Sequence, residues 1–297
     1  MILRVGTDCS GIEAPIQALI QLGVKFKHVF SSDIDKFCIE SIKANYNPKI
    51  IFGDITTRNI KDVPDIDLYV CGFPCQTFSI LGNQKGFDDI RGTIFMSCIK
   101  LIKNKKPKYF ILENVKGLFT HNKGNTWTVI QKYLKQLEKY GYYIKYSILN
   151  TKDYGIPQNR ERIYIVGTRD DDYFDWPKKI PMNNLKLYID HTDNHKDNMS
   201  NTVLNTVNKS PKNAIFVDRG QPRSTYPNSH KWTPTLLTNN NLWCVPKERF
   251  ATHKERLMLQ GFPSDFIQVV SKTQFNKQIG NSMSVNVLKE ILKNLIL

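Results

Sequence analysis

The sequence lacks the features of a membrane protein, a disulfide-stabilised protein or a zinc protein. No apolar run approaches the ~20 residues that span a bilayer. The six cysteines form no C-x-x-C pair, and the six histidines do not stand beside them at zinc-ligand spacing. The first residues form a strand-like run rather than a signal peptide. We therefore expect an intracellular, soluble protein with buried thiols, no metal and no membrane partner.

The chain has an excess of positive charge. It contains 42 Lys and Arg residues against 27 Asp and Glu, which gives a net charge of +15. Such an excess favours a polyanionic partner such as a nucleic acid. A basic surface that only maintains solubility would give the same count, so charge alone does not decide between the two interpretations.

Residues 1–170 alternate between strand and helix patterns. The pattern predicts strands at 2–7, 27–32, 50–52, 68–71, 109–112, 144–149 and 163–167, and helices at 14–22, 36–45, 94–103 and 126–140. Strands that alternate with helices are typical of a mostly parallel sheet with helices on both faces. We therefore predict an α/β fold with a doubly wound, mostly parallel sheet.

The composition changes near Asp170. Residues 170–235 are rich in Asp, Asn, Lys, Pro and Thr, and this stretch is longer than linkers usually are. Helical patterns return at 254–260 and 285–297, and we expect the last of these to dock on the first domain. We predict a large domain of residues 1–175 plus 276–297 and a small, irregular domain of residues 176–275.

Residues suited to a nucleotide-like ligand follow the first strands. The first turn contains Gly11, and Asp33 stands 22 residues later, near the ~20 expected for an acid that binds ribose hydroxyls. Asp54 follows the third strand, where it could accept a hydrogen bond from an adenine amino group. A dinucleotide fingerprint has three glycines where this turn has one, and either carboxylate could instead cap a helix or a turn.

Candidate reactive residues follow later strands. Cys75 comes directly after Pro74, at the carboxyl end of a strand, where open α/β sheets place their ligands. The glycine-containing loop behind Cys75 could close over a substrate. Glu113 follows another buried strand, and Arg160 and Arg162 precede the last one. Taken singly, these residues could be a structural thiol, a helix cap and two solvated arginines.

Together the motifs resemble, in chain order, those of the cytosine-C5 DNA methyltransferases of restriction–modification systems. They read DCSGIEA, SSDID, FGDI, GFPCQTFS, RGTIF, LENV, QNRERIYIVG, ERLMLQGFP and QIGNSMSVNVL. The resemblance covers residues 1–170 and 249–297. It implies a Rossmann-like fold dependent on S-adenosylmethionine, a small target-recognition domain, and methyl transfer to C5 of a cytosine flipped out of double-stranded DNA.

The resemblance also assigns the catalytic residues. Cys75 matches the nucleophile that adds to C6 of cytosine, which makes C5 reactive toward the methyl donor. Glu113 matches the acid that contacts N3 and the exocyclic amine, and burial would raise its pKa. Arg162 matches the arginine that reaches O2 of the ring, and Arg160 is expected to support it.

The binding residues follow from the same resemblance. The methyl donor would be bound by Cys9, Gly11, Ile12, Asp33, Ile34, Asp54, Ile55, Pro74, Ile94, Asn281 and Ser282. Gln76 and Ser79 would steady the displaced DNA backbone. Arg219 and Arg223 could contact guanine or phosphate, although a solvated arginine is the alternative for both. We expect a monomer that associates with DNA.

The chain departs from the family pattern in two places. Cys9 and Glu13 stand where the family usually has an aromatic residue and a glycine, so the donor contacts of the first turn should differ in detail. Met258 stands where an arginine is common, so the packing of the recognition domain should differ too.

Three other functions fit part of the pattern. One branch of the family methylates transfer RNA, but its Cys-Phe-Thr element is absent here. A methylase of free pyrimidine nucleotides would not need the basic surface or the 176–248 region. A DNA-binding protein with an inactive methylase fold is disfavoured because Cys75, Glu113, Arg160 and Arg162 are all present.

Overall fold

The computed structural model describes residues 2–74, 94–169, 173–220 and 227–297. The strands are β1 (Leu3–Asp8), β2 (Phe26–Ser32), β3 (Ile50–Phe52), β4 (Leu68–Cys71), β5 (Tyr109–Val115), β6 (Tyr142–Asn150), β7 (Gln158–Asn159), β8 (Glu161–Arg169), β9 (Phe216–Asp218), β10 (Thr233–Pro234), β11 (Leu242–Cys244) and β12 (Arg249–Phe250). The helices are α1 (Ala14–Gln21), α2 (Lys36–Asn45), α3 (Ile94–Lys105), α4 (Asn125–Leu137), α5 (Asn201–Asn208), α6 (His253–Gln260), α7 (Lys272–Asn281) and α8 (Val285–Ile296).

The main sheet has the strand order β3-β2-β1-β4-β5-β8-β6 among the described residues. Strands β1 to β5 run parallel to one another, whereas β8 runs antiparallel to both β5 and β6. The predicted α/β fold with a mostly parallel sheet is therefore confirmed. The strand order reverses at β1 and β4, and this is the place where such sheets bind ligands beyond their carboxyl ends.

Both faces of this sheet are covered, as the alternation of strands and helices predicted. In β4, Leu68 and Val70 pack into a cluster with α1 and α8, whereas Tyr69 and Cys71 pack into a cluster with α3 and α4. Side chains alternate between the two faces because successive residues of a strand point in opposite directions. The C-terminal helix α8 lies against α1, as expected from the sequence.

Strand β5 is longer than the sequence pattern predicted. It continues to Val115 because Glu113 pairs with Tyr164 of β8 and Val115 pairs with Arg162. Glu113 and Asn114 therefore lie inside the strand rather than beyond its end. Within the described ranges, no helix is long and apolar enough to cross a membrane.

Residues 176–275 contain the helix predicted at 254–260, which is α6, and short strands that the sequence pattern did not resolve. Strands β9, β11 and β12 form an antiparallel sheet, and buried Trp243 packs there against Val203, Ala214 and Val217. Strand β10 pairs with β7, which connects this region to the end of the main sheet. The division of the chain into two domains at these positions stays a prediction.

Candidate active site

Glu113 and Arg162 form an ion pair on neighbouring strands. The register of β5 and β8 makes them diagonal neighbours on one face, and Arg162 Nε lies 3.3 Å from Glu113 Oε1. Both side chains are largely buried, with 14% of Arg162 and 11% of Glu113 exposed. Burial raises the pKa of Glu113, and the positive charges of Arg162 and Arg160 oppose that rise. A carboxyl group with a raised pKa keeps its proton to a higher pH than an exposed one, and so remains available as a proton donor.

The chain that leads to Cys75 starts beside this pair. Asn114 Nδ2 donates a 2.7 Å hydrogen bond to the carbonyl of Phe73. A Cβ atom on Gly72 would lie 3.3 Å from Met283 Cε and 3.5 Å from Glu113 Oε2, so this approach leaves little space for a side chain. Three of the predicted site residues, Cys75, Gln76 and Ser79, lie outside the described residues.

The next described residue after Pro74 is Ile94, the first residue of α3. Ile94 is half-buried, and the next residue, Phe95, packs its ring 5.4 Å from that of Phe73. The start of α3 is therefore anchored to the segment that precedes Pro74. This contact places predicted residues Pro74 and Ile94 in the same part of the molecule.

Arg160 is fully enclosed and contacts backbone carbonyls. Its guanidinium donates hydrogen bonds to the carbonyls of Leu236 at 3.3 Å, Gly280 at 3.1 Å and Ser282 at 2.7 Å. Burial and the charge of Arg162 lower the pKa of Arg160 to about 9, which leaves the group charged at neutral pH. Arg160 thus joins the segment after β10 to the segment between α7 and α8.

The C-terminal segment is held near β7 by side-chain amides. Gln260 Nε2 donates to the carbonyls of Ile279 and Ser282, and Gln158 Nε2 donates to Gln260 Oε1. Of the two predicted donor-binding residues here, Ser282 is buried and Asn281, the last residue of α7, is exposed. Gln158 and Gln260 thus hold Ser282 close to β7.

The first turn has an unusual backbone. Cys9, Gly11 and Glu13 have φ values of 48°, 55° and 61°, all in the left-handed region. The amide of Gly11 donates a 2.8 Å hydrogen bond to Asp33 Oδ2. Predicted neighbour Ile12 is buried in the core. The turn between β1 and α1 is thus joined directly to the end of β2.

Asp33 is held by two backbone amides. Besides Gly11, the amide of Asp35 donates to Asp33 Oδ1 at 2.9 Å. Burial raises the pKa of Asp33, and the two amide hydrogen bonds oppose that rise. The carboxylate therefore has a fixed orientation while each oxygen keeps acceptor capacity for a ligand hydroxyl.

Asp54 and the adjacent isoleucines lie at the next strand end. The amide of Asp33 donates to the carbonyl of Phe52, which ties the ends of β2 and β3 together. Asp54 is exposed, and its Oδ1 accepts hydrogen bonds from the amide and hydroxyl of Thr56 at 2.7 Å each. Ile34 is 76% exposed, whereas Ile55 is buried. Asp33, Ile34 and Asp54 thus follow two strands whose ends are joined by the Asp33–Phe52 hydrogen bond.

Arg58 is a largely buried arginine whose contacts the sequence pattern did not indicate. Its guanidinium makes two hydrogen bonds to Asp8, of 2.8 and 2.9 Å, and Tyr69 donates to the same carboxylate. The guanidinium also lies 5.1 Å from the ring of Phe30. This contact fixes the loop after Asp54 to the end of β1. Sequence offered no signal for it because the partners are 50 residues apart.

Arg256 is a second such residue. It is buried in α6 and donates to the carbonyls of Leu237, Asn239 and Asn276. Burial lowers the pKa of Arg256 to about 10. Met258, which replaces the arginine common in the family, is partly buried against the core. Met258 was expected to change the packing in this part of the chain, and α6 also buries Arg256, two residues before it.

The predicted DNA-reading residues are partly described. Arg219 is exposed, its guanidinium lies 5.2 Å from the ring of Phe250, and its Nε donates to Asn241 Oδ1 at 3.2 Å. Arg223 lies outside the described residues. In the ranges that the structure does describe, His, Cys, Asp and Glu side chains form no group of three or more that could bind a metal ion.

Solved structures of methyltransferases share this fold. The S. pombe Dnmt2 methyltransferase has a TM-score of 0.70 at 20% identity, over 100% of this chain and 98% of that one. The Entamoeba histolytica methyltransferase EhMeth has a TM-score of 0.65 at 20% identity, over 99% and 98% of the two chains. At these identities the likeness shows the fold, which is that of a methyltransferase.

Sequence comparison identifies the family. The model of the C-5 cytosine-specific DNA methylases matches residues 8–297. The type II methyltransferase M.HaeII of Haemophilus aegyptius is 39% identical, over 91% of this chain and 86% of its own length. M.Bsp6I of Bacillus sp. is 38% identical, over 91% of both chains. The chain belongs to the C-5 cytosine-specific DNA methylase family, and it is a DNA cytosine-5 methyltransferase.

Proposed function

We propose that this enzyme transfers a methyl group from S-adenosylmethionine to C5 of a cytosine that has been flipped out of double-stranded DNA, through a covalent bond between Cys75 and C6. The family membership gives the reaction class. The main structural support is the buried Glu113–Arg162 pair, which lies beside the chain segment that leads to Cys75. The pair offers a proton donor and a cation to one planar, polar ring.

Cys75 is the proposed nucleophile. C5 of cytosine is a poor nucleophile, and addition of a thiolate to C6 makes C5 enamine-like. After C5 has taken the methyl group, it loses its proton to a base, and elimination breaks the S–C6 bond and releases the thiolate. The positive charges of Arg160 and Arg162 would favour the thiolate of Cys75.

Glu113 and Arg162 are the proposed groups that stabilise charge on the ring. As the thiolate adds, negative charge develops toward N3 and O2. The proton-bearing form of Glu113, which burial favours, would donate to N3. Arg162 would donate to O2 from a fixed position, since its Nη1 also donates to the carbonyl of Glu161. Arg160 would act one step away, by holding the carbonyls of Gly280 and Ser282 in place.

The residues around the first turn fit S-adenosylmethionine. Asp33 would accept hydrogen bonds from the ribose, Ile34 would cover the adenine, and Asp54 would accept from its amino group. The remaining pocket residues would be Cys9, Gly11, Ile12, Ile55, Pro74, Ile94, Asn281 and Ser282. When bound, the donor supplies an electrophilic methyl sulfonium. The residues of the chain orient it and exclude water.

DNA would bind across the opening between the main sheet and residues 176–275, which we propose as the target-recognition region. The net charge of +15 provides contacts to phosphates. Gln76 and Ser79 would steady the backbone of the flipped nucleotide, and Arg219 and Arg223 would read bases or bind phosphate. The protein would act on this DNA as a monomer.

The test is methylation of mixed-sequence double-stranded DNA by the purified protein with S-adenosylmethionine, read by bisulfite sequencing. Conversion-resistant cytosines in one short sequence context would support the proposal and define the target. Transfer to RNA but not to DNA would contradict the proposed substrate. Donor binding without transfer to either would indicate an inactive relative that only binds nucleic acid.

A further inference from the structure

Glu13 is a fully buried carboxylate under the first turn, at a position where the family usually has glycine. Its Oε1 atom accepts hydrogen bonds from Thr7 Oγ1 at 2.6 Å and from Ser31 Oγ at 2.5 Å. His28 Nε2 lies 3.3 Å from the same oxygen. Four side chains from β1, the first turn and β2 thus share one polar cluster, which we call the Glu13 cluster.

Ser10 extends the Glu13 cluster into the backbone of the turn. Ser10 Oγ lies 2.7 Å from Thr7 Oγ1 and donates to the carbonyl of Ser32 at 3.1 Å. The amide of Ser32 donates to Ser10 Oγ in return, at 2.9 Å. Asp33 is the next residue after Ser32. The cluster therefore connects the conformation of the turn to the position of Asp33.

The turn above the cluster needs such support. Cys9 and Glu13 are left-handed although neither is glycine, and this conformation costs non-glycine residues about 1 kcal/mol or more each. The Glu13 carboxylate offsets that cost because it accepts hydrogen bonds from both strands that flank the turn. A glycine in its place would adopt the same φ without strain but would anchor nothing.

We propose that Glu13 is a positioning residue for the methyl donor. The Glu13 cluster fixes the turn so that the amide of Gly11 meets Asp33, and it thereby sets the affinity of the pocket for S-adenosylmethionine. This inference rests on the proposed donor site. Glu13 itself does not touch the donor, since its side chain is fully enclosed.

The test compares Glu13→Gly with Glu13→Gln in donor binding and in turnover. Glycine tolerates the left-handed backbone, so Glu13→Gly removes only the side chain. We expect its calorimetric Kd for S-adenosylhomocysteine and its KM for S-adenosylmethionine to rise about tenfold. A change of this size corresponds to the net free energy of one to two hydrogen bonds. The kcat at saturating donor and the affinity for DNA should stay within about twofold. Glu13→Gln, which keeps an oxygen acceptor, should recover most of the affinity.

Asp67→Asn is the matched control. Asp67 is bonded to Arg4 at the amino end of β1, away from the turn, so this variant should lose some stability and keep its donor affinity. The proposal is overturned if Glu13→Gly lowers only the melting temperature, as the control does, with Kd and KM unchanged. If Glu13→Gly does not fold, Ser31→Ala removes one donor to the carboxylate, and its unchanged Kd would equally overturn the proposal.

The wild-type protein separates this inference from the proposed reaction. Binding of S-adenosylhomocysteine without methylation of DNA would contradict the reaction and leave the Glu13 test intact, because the readout is affinity. Failure of the wild-type protein to bind S-adenosylhomocysteine would contradict both the proposed donor site and the role of Glu13.

Discussion

Arg162 Nε lies 3.3 Å from Glu113 Oε1, across the antiparallel pairing of β5 and β8. The two residues come from motifs 49 positions apart in the sequence, yet strand register makes them neighbours. Burial raises the pKa of the carboxyl group, and the guanidinium limits that rise. The pair thus holds an acid that keeps its proton to a higher pH than an exposed glutamate and that is still fixed by a cation.

Glu113→Gln should lower kcat by about 10²-fold, within the usual contribution of a positioned acid. Glutamine can still donate a hydrogen bond to N3 but cannot transfer a proton. Single-turnover methylation with tritiated donor measures the change. Glu161→Gln is the control, since the side chain of Glu161, in β8, is 43% exposed and pairs with Lys116. Equal rates in the Glu113 variant and the wild type would remove Glu113 from the mechanism.

The same variant should change the pH dependence of stability. The folded-state pKa of Glu113 is raised, so the folded state binds the proton more tightly than the unfolded chain. This contribution is fully present below the ordinary pKa of glutamate, about 4.3, and is lost as pH rises through the raised folded value. Glu113→Gln should therefore gain stability relative to wild type as pH rises across that window. Urea unfolding at a series of pH values tests the sign, and a parallel pH dependence of the two proteins would contradict it.

Cys75→Ser and Cys75→Ala should abolish methyl transfer while DNA binding persists. Neither variant can form the adduct at C6, but neither changes the charges that bind phosphates. Filter-binding and methylation assays on the same preparations separate the two properties. Cys38→Ala, a buried thiol of α2, should retain turnover. Turnover in either Cys75 variant would exclude the covalent mechanism.

The sequence predicted the main sheet well because its strands are short apolar runs between helices. It missed α7, since among Lys272–Asn281 only Phe275 and Ile279 are buried apolar side chains. It also ended β5 too early, because Glu113 and Asn114 look like loop residues until pairing with β8 is known. Polar residues inside elements are therefore recognised only from long-range contacts.

The candidate site shows the same contrast between residues that the sequence indicates and contacts that it does not. The family motifs indicated Asp33, Glu113, Arg160 and Arg162 because each belongs to a short, ordered signature. They did not indicate how Arg160 is used, since its three carbonyl partners come from segments 76 to 122 residues away. Glu13 looked only like a departure from the pattern, and its role depends on contacts with Ser31 and His28 in β2.

Asp33→Ala should weaken binding of S-adenosylhomocysteine by about ten- to a hundredfold, the effect of losing one or two hydrogen bonds to a charged acceptor. Calorimetry measures the affinity directly. Asp35→Asn is the matched control, because asparagine can keep the cap of α2 that Asp35 makes with the amide of Phe37. Unchanged affinity of the Asp33 variant would refute its role in donor binding.

Arg160→Lys should lower the free energy of unfolding by about 2–4 kcal/mol. A lysine ammonium is a compact charge and cannot span the carbonyls of Leu236, Gly280 and Ser282 as a planar guanidinium does. Each carbonyl left without a donor in the interior carries a desolvation cost, and a partly satisfied buried charge adds to it. Urea unfolding measures the loss.

The control variant is Arg4→Lys, at a half-exposed ion pair with Asp67, which should cost less than about 1 kcal/mol. Because Arg160 holds Ser282, the variant should also bind S-adenosylhomocysteine more weakly than Arg4→Lys does. A stable Arg160 variant with normal donor affinity would show that the three carbonyls do not depend on this guanidinium.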